Sequence, residues 1–181
     1  MSQARVALLL AAMDETYERL RLRIRDLTDD EFFWEPVPGC WTVYRTASGR
    51  WDYHYAIPDP EPAPATTIAW QIIHLATCKV MYHEWAFGPA RLTFADLVIP
   101  HTVRDAKAYL SRGQRLLREQ LLGRSDSQLD RQVKTNWGET WPAWRIFWAM
   151  ADHDALHGGA IGALRDLYYW STTRRPSPSP R

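Results

Sequence analysis

Apolar residues recur along the first part of the chain at alternating spacings of four and three residues. The series runs Val6, Leu10, Met13, Tyr17, Leu20, Ile24 and Leu27. Such positions fall on one side of a helix, because a helix has about 3.6 residues per turn. The stripe predicts a long helix over residues 2–27, and its apolar side has to be buried against other secondary structure.

Three later segments carry the start and stop signals of helices. The predicted helices cover residues 65–87, 102–122 and 140–168, and a glycine follows each of the first two. Thr102 is placed to cap the second of these helices. Pro142 is tolerated in the first turn of the third, where its missing N–H has no helical partner to lose.

The chain is predicted to form one domain. Four long amphipathic segments predict an all-α fold, a four-helix bundle that spans residues 1–170. Residues 171–181 hold three Pro and three Arg, and they are predicted to be a disordered tail.

The helical pattern is interrupted over residues 36–65. Two aromatic and β-branched stretches, 40–45 and 50–55, flank a turn at residues 46–49, which predicts a small β-hairpin. Pro-rich sequence then predicts an extended connector into the second long helix.

Charge and cysteine content exclude several functions. The formal net charge is +1, and Lys and Arg are interleaved with Asp and Glu, so the basic footprint of a nucleic-acid-binding protein is absent. No apolar stretch approaches the length of a membrane span. Two cysteines, Cys40 and Cys78, do not make a disulfide framework, which favours a reducing compartment. We therefore expect a cytoplasmic protein whose partner is a small molecule.

Three histidines fall in the middle of faces that are predicted to be buried. His153 and His157 are four residues apart on the apolar side of the fourth helix, so both rings can reach one ion. His74 lies mid-stripe on the second helix, whereas Lys79 and His83 fall on its far side. A buried polar group without a partner costs about 1–3 kcal/mol. One divalent metal ion would satisfy all three rings, although a core histidine bonded to a carbonyl is the ordinary alternative for any one of them.

Three histidine ligands predict a catalytic rather than a structural metal site, because they leave coordination positions open for water or substrate. Neutral imidazole binds Zn, Ni, Cu or Fe. The ion can lower the pKa of a thiol or water molecule and so generate a nucleophile. No residue stands out as a general acid or base. Cys78, one turn after His74, is either a fourth ligand, a nucleophile or an ordinary small core residue.

Two other metal motifs fit the chain less well. Residues 153–157 resemble the zinc-protease H-E-x-x-H motif with Asp154 in place of Glu, but no His or Glu follows to act as the third ligand. A di-iron bundle needs two Glu-x-x-His pairs, and only Asp154 before His157 comes near that pattern. Gln71 and Asp154 flank the proposed ligands, and we expect at most an indirect role for them. On the fourth helix, Asp154 falls outside the apolar stripe.

The ordered set of segments resembles a known family. Residues 27–31 lead into 34–39, and 67–76 and 153–159 follow. In this order they resemble the DinB/YfiT-like metalloenzyme superfamily, and the resemblance covers about residues 5–170. It implies an up-down-down-up four-helix bundle that is often dimeric, so a homodimer is expected.

The resemblance also implies a metal held by one histidine on the second helix and a His-x-x-x-His pair on the fourth. Those positions match His74, His153 and His157. Characterised members include S-transferases that use bacillithiol or mycothiol and the mycothiol-dependent maleylpyruvate isomerase. Zinc or nickel is therefore the expected metal, with iron as an alternative, and a low-molecular-weight thiol is an expected co-substrate.

The chain departs from the family pattern at two places. Family members commonly carry Gln or Glu three residues after the last histidine, where this chain has Ala160. The connection over residues 42–64 is also long, and we expect it to form a lid or wall over the site.

These observations support one leading hypothesis and two alternatives. The leading hypothesis is a metal-dependent enzyme, either a thiol S-transferase or an isomerase, that acts on a small thiol or electrophile. The first alternative is a non-catalytic dimeric bundle that binds a small molecule or a metal. The second is a metal-free dimerisation scaffold in which ordinary core partners satisfy each histidine.

Overall fold

The computed structural model describes residues 3–58 and 60–173, and its main elements are helices. A short helix, α2, follows the first long one, and two small β-hairpins lie between the long helices. The elements are α1 (Ala4–Arg23), α2 (Asp29–Phe33), β1 (Val43–Arg45), β2 (Trp51–Tyr53), α3 (Ile68–Phe87), α4 (Val103–Leu122), β3 (Gln132–Lys134), β4 (Thr140–Pro142) and α5 (Ala143–Thr173).

The four long helices form the bundle that the sequence pattern predicts, with the up-down-down-up topology that the family resemblance implies. Residue contacts show that α1 and α5 run parallel, while α4 runs antiparallel to α1 and α3 runs antiparallel to α5. Leu20 contacts Gly158 and Arg23 contacts Arg165 between α1 and α5. Lys107 contacts Arg25 and Arg118 contacts Asp14 between α4 and α1. Gln71 contacts His157 and Lys79 contacts Asp154 between α3 and α5.

Side-chain caps begin the helices at the residues where the sequence places them. Thr67 and Thr102 accept backbone N–H groups in the first turns of α3 and α4. Thr28 and Glu31 form a reciprocal capping box at α2. Each cap satisfies N–H groups that have no partner inside the helix, which is why these local signals are reliable.

The first hairpin confirms the expectation for residues 40–55. Strands β1 and β2 pair antiparallel, with Tyr44 opposite Asp52. Gly49 closes the turn in the left-handed region at φ +83°, a conformation that glycine adopts without steric cost.

The second hairpin corrects the predicted start of the fourth helix at residue 140. Thr140–Pro142 form strand β4, which pairs antiparallel with β3, and α5 begins only at Ala143. Gly138 turns the chain in the left-handed region, and Trp141 packs against Tyr82 of α3 with ring centroids 6.1 Å apart. Aromatic and β-branched residues favour a strand here, and Pro142 ends it.

The interior differs from the expectation for Lys79 and Asp154, which the sequence analysis placed off the buried faces. Both side chains are fully buried and form an ion pair at 2.8 Å. Twelve of the twenty residues of α3 are buried, so this helix packs on more than one side. Lys79 lies where α4 approaches most closely: a methyl group on Gly113 would come within 2.7 Å of the Lys79 Cβ.

The C-terminal helix is longer than predicted. It continues through Thr173, so the predicted boundary at residue 170 lies inside α5, and residues 174–181 of the predicted tail lie outside the described residues. Within the described chain, none of the helices combines the length and the apolar character that crossing a membrane requires.

Candidate metal centre

The three predicted histidines lie side by side where α3 crosses α5. The ring centroid of His74 is 5.7 Å from that of His153 and 5.0 Å from that of His157. His153 and His157 are 5.1 Å apart, as expected for residues one turn apart on a helix. The antiparallel arrangement of α3 and α5 thus brings together side chains that are about 80 residues apart in sequence.

The ring of His74 has two aromatic neighbours, Trp70 and Tyr55. It stacks on Trp70 at 4.6 Å with an interplanar angle of 7°, and the Trp70 indole N–H donates to the His54 carbonyl at 2.7 Å. The Nδ1 atom of His74 is buried without a hydrogen-bond partner in the part of the chain that the structure describes. A buried nitrogen of this kind needs a partner from outside the chain.

His157 is oriented by the amide of Gln71. The Gln71 NH₂ group donates to Thr66 Oγ1 at 2.6 Å, which directs Oε1 of the same amide at His157 Nδ1. Because a carbonyl oxygen only accepts, Nδ1 carries the proton and Nε2 is left with its lone pair. Metal-ligating histidines are commonly fixed in this way by a partner on the other ring nitrogen.

A second set of donor atoms overlaps with the predicted one. One ligand atom from each of His74, Cys78 and His153 lies within 4.8 Å of the other two. The Cys78 Sγ is 3.6 Å from His74 Nε2. The residues therefore fit a divalent ion by two observations, the unpartnered nitrogen of His74 and a nitrogen and sulfur donor set that suits Zn or Ni.

Burial keeps the histidines neutral, which is the form that binds metal. It lowers the pKa of His74 to about 4 and that of His157 to about 3, and the neighbouring histidines add to both shifts. Burial also lowers the pKa of His153. The Cys78 thiol has its pKa raised to about 12 by burial, against the opposing charge of Lys79, so it is protonated unless a cation replaces the proton.

A cavity of about 150 Å³ opens beside His74, Cys78 and His153. Its other walls come from α3, from the segment after β2, from a short turn at residues 94–96 and from the β3–β4 turn. The lining residues besides those three are Tyr53, Tyr55, Thr77, Met81, Tyr82, Phe94, Asn136 and Trp137. Tyr53 and Tyr55 fall within residues 42–64, so this segment contributes one wall of the site.

Sequence reasoning did not predict the second hairpin, which carries part of these walls. Asn136 and Trp137 lie in its turn, just before the residues predicted to begin the fourth helix. Their signal was the same as that of the first hairpin, β-branched and aromatic residues on both sides of a glycine. Of the residues expected to act indirectly, Gln71 contacts His157, whereas Asp154 pairs with Lys79.

His83 lies outside the cluster, as its helical phase predicts. It is half-buried, and its ring packs edge-on against Phe87 with centroids 6.4 Å apart. It therefore offers a histidine of the same helix that is independent of the site.

Comparison with known proteins agrees with the resemblance seen in the sequence. The sequence pattern that defines the DinB superfamily matches residues 12–161, from within α1 to the second half of α5. Among curated proteins, none matches the chain.

Proposed function

The chain belongs to the DinB superfamily, and on that premise we propose that it is a metal-dependent enzyme that acts on a small thiol or electrophile. The observation that carries the proposal is the convergence of His74, His153 and His157, the first two of which line a cavity. Imidazoles that were needed only for packing would each have a core partner, and His74 Nδ1 has none among the described residues.

The three histidines are the proposed metal ligands, and Gln71 and Cys78 have separate roles beside them. Neutral rings present lone pairs to a cation, and Gln71 holds the tautomer of His157. Cys78 is a competing donor. A divalent ion at this position, zinc or nickel by our proposal, would lower the pKa of a thiol or water molecule and supply a nucleophile at neutral pH.

A second function, binding without turnover, is favoured by the chemistry of the cavity walls. The described lining contains no carboxylate, Lys or Arg that would act as a general acid or base. Burial raises the pKa of Tyr53 and of Tyr82 above the usual range, so neither phenol is a base at neutral pH. Catalytic turnover would then need acid or base groups that are supplied by the substrate or the metal ion.

Metal analysis of the purified full chain tests the proposal. We expect about one equivalent of a divalent metal per chain, and loss of that metal in His74→Ala, His153→Ala and His157→Ala. His83→Ala is the matched control, since it removes a histidine of α3 outside the cluster, and it should retain the metal. Unchanged metal content in all three cluster variants would refute the site.

Turnover assays separate the enzyme from the binding module. The metal-loaded protein is mixed with a simple thiol and a small electrophile, and loss of the thiol is followed. Transfer that disappears in His74→Ala and persists in His83→Ala supports the enzyme. Stoichiometric metal without turnover of any thiol or electrophile supports the binding module instead.

A further inference from the structure

We propose that the cavity beside the histidines selects a compact, uncharged, ring-sized group on its ligand, with an aromatic ring as the preferred form. The inference deepens the proposed function and rests on it only for the end of the ligand that meets the metal. The preference for a neutral, ring-sized group follows from the volume of the cavity, its aromatic lining and the charges around it.

The size of the cavity limits the ligand. A volume of about 150 Å³ is available beside His74, and a cavity of roughly this volume accommodates a benzene ring. A peptide-like or sugar-bearing thiol would have to leave most of its bulk outside. The group that enters is therefore ring-sized.

The surface of the cavity is aromatic. Two ring pairs line it: Tyr55 stacks on Phe94 with centroids 5.1 Å apart, and Tyr82 meets Trp137 edge-to-face at 5.1 Å. Tyr53 adds a fifth ring. Aromatic faces and edges pack well against a further ring, at centroid separations of about 4.5–7 Å.

The charge of the cavity favours a neutral group. The described lining has no Lys or Arg to pair with an anion, and the nearest buried cation, Lys79, is already paired with Asp154. An anionic group in contact with the aromatic walls rather than with the ion would lose its hydration without compensation. Aromatic walls attract cations, but the described lining holds no carboxylate to pair with a cationic group, and a divalent ion at the histidines would repel it.

Four of the five rings come from segments outside the long helices, and the fifth, Tyr82, lies on α3. Tyr55 follows β2, Phe94 lies in the short turn after α3, and Trp137 lies in the β3–β4 turn. The proposed ligands lie on α3 and α5. Selection can therefore be altered without disturbing the metal ligands, which makes the inference testable by substitution.

The test uses three small thiols that share a metal-binding end and differ in the tail. The Co²⁺-loaded full chain is titrated with benzyl mercaptan, 3-mercaptopropionate and cysteamine, and affinity is measured by calorimetry. We expect benzyl mercaptan to bind at least about tenfold more tightly than the other two, because its ring alone gains apolar burial. Equal affinities, or tightest binding of the anionic or cationic thiol, would overturn the inference.

Substitutions locate the selectivity. Phe94→Ala and Trp137→Ala, both at partly exposed positions, should weaken benzyl mercaptan about tenfold and leave 3-mercaptopropionate unchanged. Trp148→Ala removes an exposed indole of α5 that does not line the cavity, and it should change neither affinity. Circular dichroism of each variant verifies that it is folded.

A metal-independent measurement keeps the inference separate from the proposed function. Protein treated with a chelator is titrated with benzyl alcohol and with benzoate, and binding is followed by ligand-observed NMR. Preference for benzyl alcohol that is lost in Trp137→Ala supports the ring-sized neutral site even if the histidines take up no metal. Metal uptake without this preference would overturn the inference and leave the proposed function standing.

Discussion

Two clusters of polar side chains lie next to each other between the helices of this bundle. The histidine cluster consists of His74, Cys78, His153 and His157, and the ion-pair cluster consists of Lys79, Gln114 and Asp154. Consecutive residues contribute to different clusters, Cys78 and Lys79 on α3 and His153 and Asp154 on α5. The two clusters therefore share their helices but face different neighbours.

The ion-pair cluster pairs its two charges within the chain, although Asp154 Oδ1 has no hydrogen-bond partner among the described residues. The Lys79 ammonium donates to Asp154 Oδ2 and to Gln114 Oε1, both at 2.8 Å. Gln114 also donates to the Met13 carbonyl at 3.4 Å, which joins α1 to the cluster. Lys79 and Asp154 are 0% and 1% exposed, so one positive and one negative charge balance each other in the core.

The histidine cluster consists of groups that burial keeps neutral, and three of its members, His74, Cys78 and His153, line a cavity. The comparison separates two uses of polar groups inside a protein. A cluster whose charges cancel within the chain specifies how helices pack. A cluster of neutral donors that open on a cavity is ready for a partner from solution.

The largest expected effect is on the stability conferred by the ion-pair cluster. Lys79→Met leaves the buried Asp154 carboxylate without its cation, and we expect the free energy of unfolding to fall by about 3–5 kcal/mol. Adding Asp154→Leu should restore most of the loss, since both charges are then removed. Urea unfolding measures both changes.

The surface pair of Arg118 and Asp14 is the control for that experiment. Its side chains are each 42% exposed, so Arg118→Met should change the free energy of unfolding by less than about 1 kcal/mol. If Lys79→Met costs no more than this control, the ion-pair cluster does not hold the bundle together.

The second expected effect concerns the two buried glutamines. Gln71→Leu removes the acceptor that orients His157, and we expect metal affinity to fall about 10–100-fold. Gln114→Leu, in the ion-pair cluster, should leave metal affinity unchanged and lower stability by about 1–3 kcal/mol. Competition with a metal indicator measures affinity. Equal losses of affinity in both variants would show that the clusters are not independent.

The third expected effect is a pH dependence that belongs to the histidine cluster. The folded chain holds the pKa of His157 at about 3, below the ordinary value of 6.5, so the unfolded chain binds more protons between these values. Stability of the metal-free protein is fully present above pH 6.5 and falls as the pH is lowered through this window. At pH 5 the loss from His157 should be about 1–2 kcal/mol.

His157→Gln tests the origin of this slope, because glutamine does not titrate. The variant should lose less stability than the parent between pH 7 and pH 5 in chemical denaturation. An unchanged slope would mean that other groups cause the pH dependence.

The smallest expected effect distinguishes the two donor sets. If the three histidines hold the ion, Cys78→Ser should change metal affinity by less than about threefold, which is under 1 kcal/mol. A much larger loss in Cys78→Ser, together with unchanged affinity in His157→Ala, would show that Cys78 takes the place of His157. The same indicator competition decides between them.

Features that depend on neighbouring residues in the chain were predictable. The alternating stripe of α1, the Thr67 and Thr102 caps and the hairpin around Gly49 all reflect backbone preferences that act over one or two turns. The phase of His74, His153 and His157 on their helices follows from the same period, so their meeting could be inferred before their distances were known.

Side-chain burial and the walls of the site could not be predicted from local sequence, because they depend on which elements pack around each helix in the assembled bundle. Helical phase placed Lys79 and Asp154 away from the main apolar stripe, but α3 packs on more than one side, and the two charges meet inside the core. The aromatic walls come from four separated segments that only the fold brings together. Local pattern thus determined the helices and the faces on which the three histidines lie, while long-range packing determined which polar groups are buried and what surrounds the site, because burial is a property of the whole arrangement of elements.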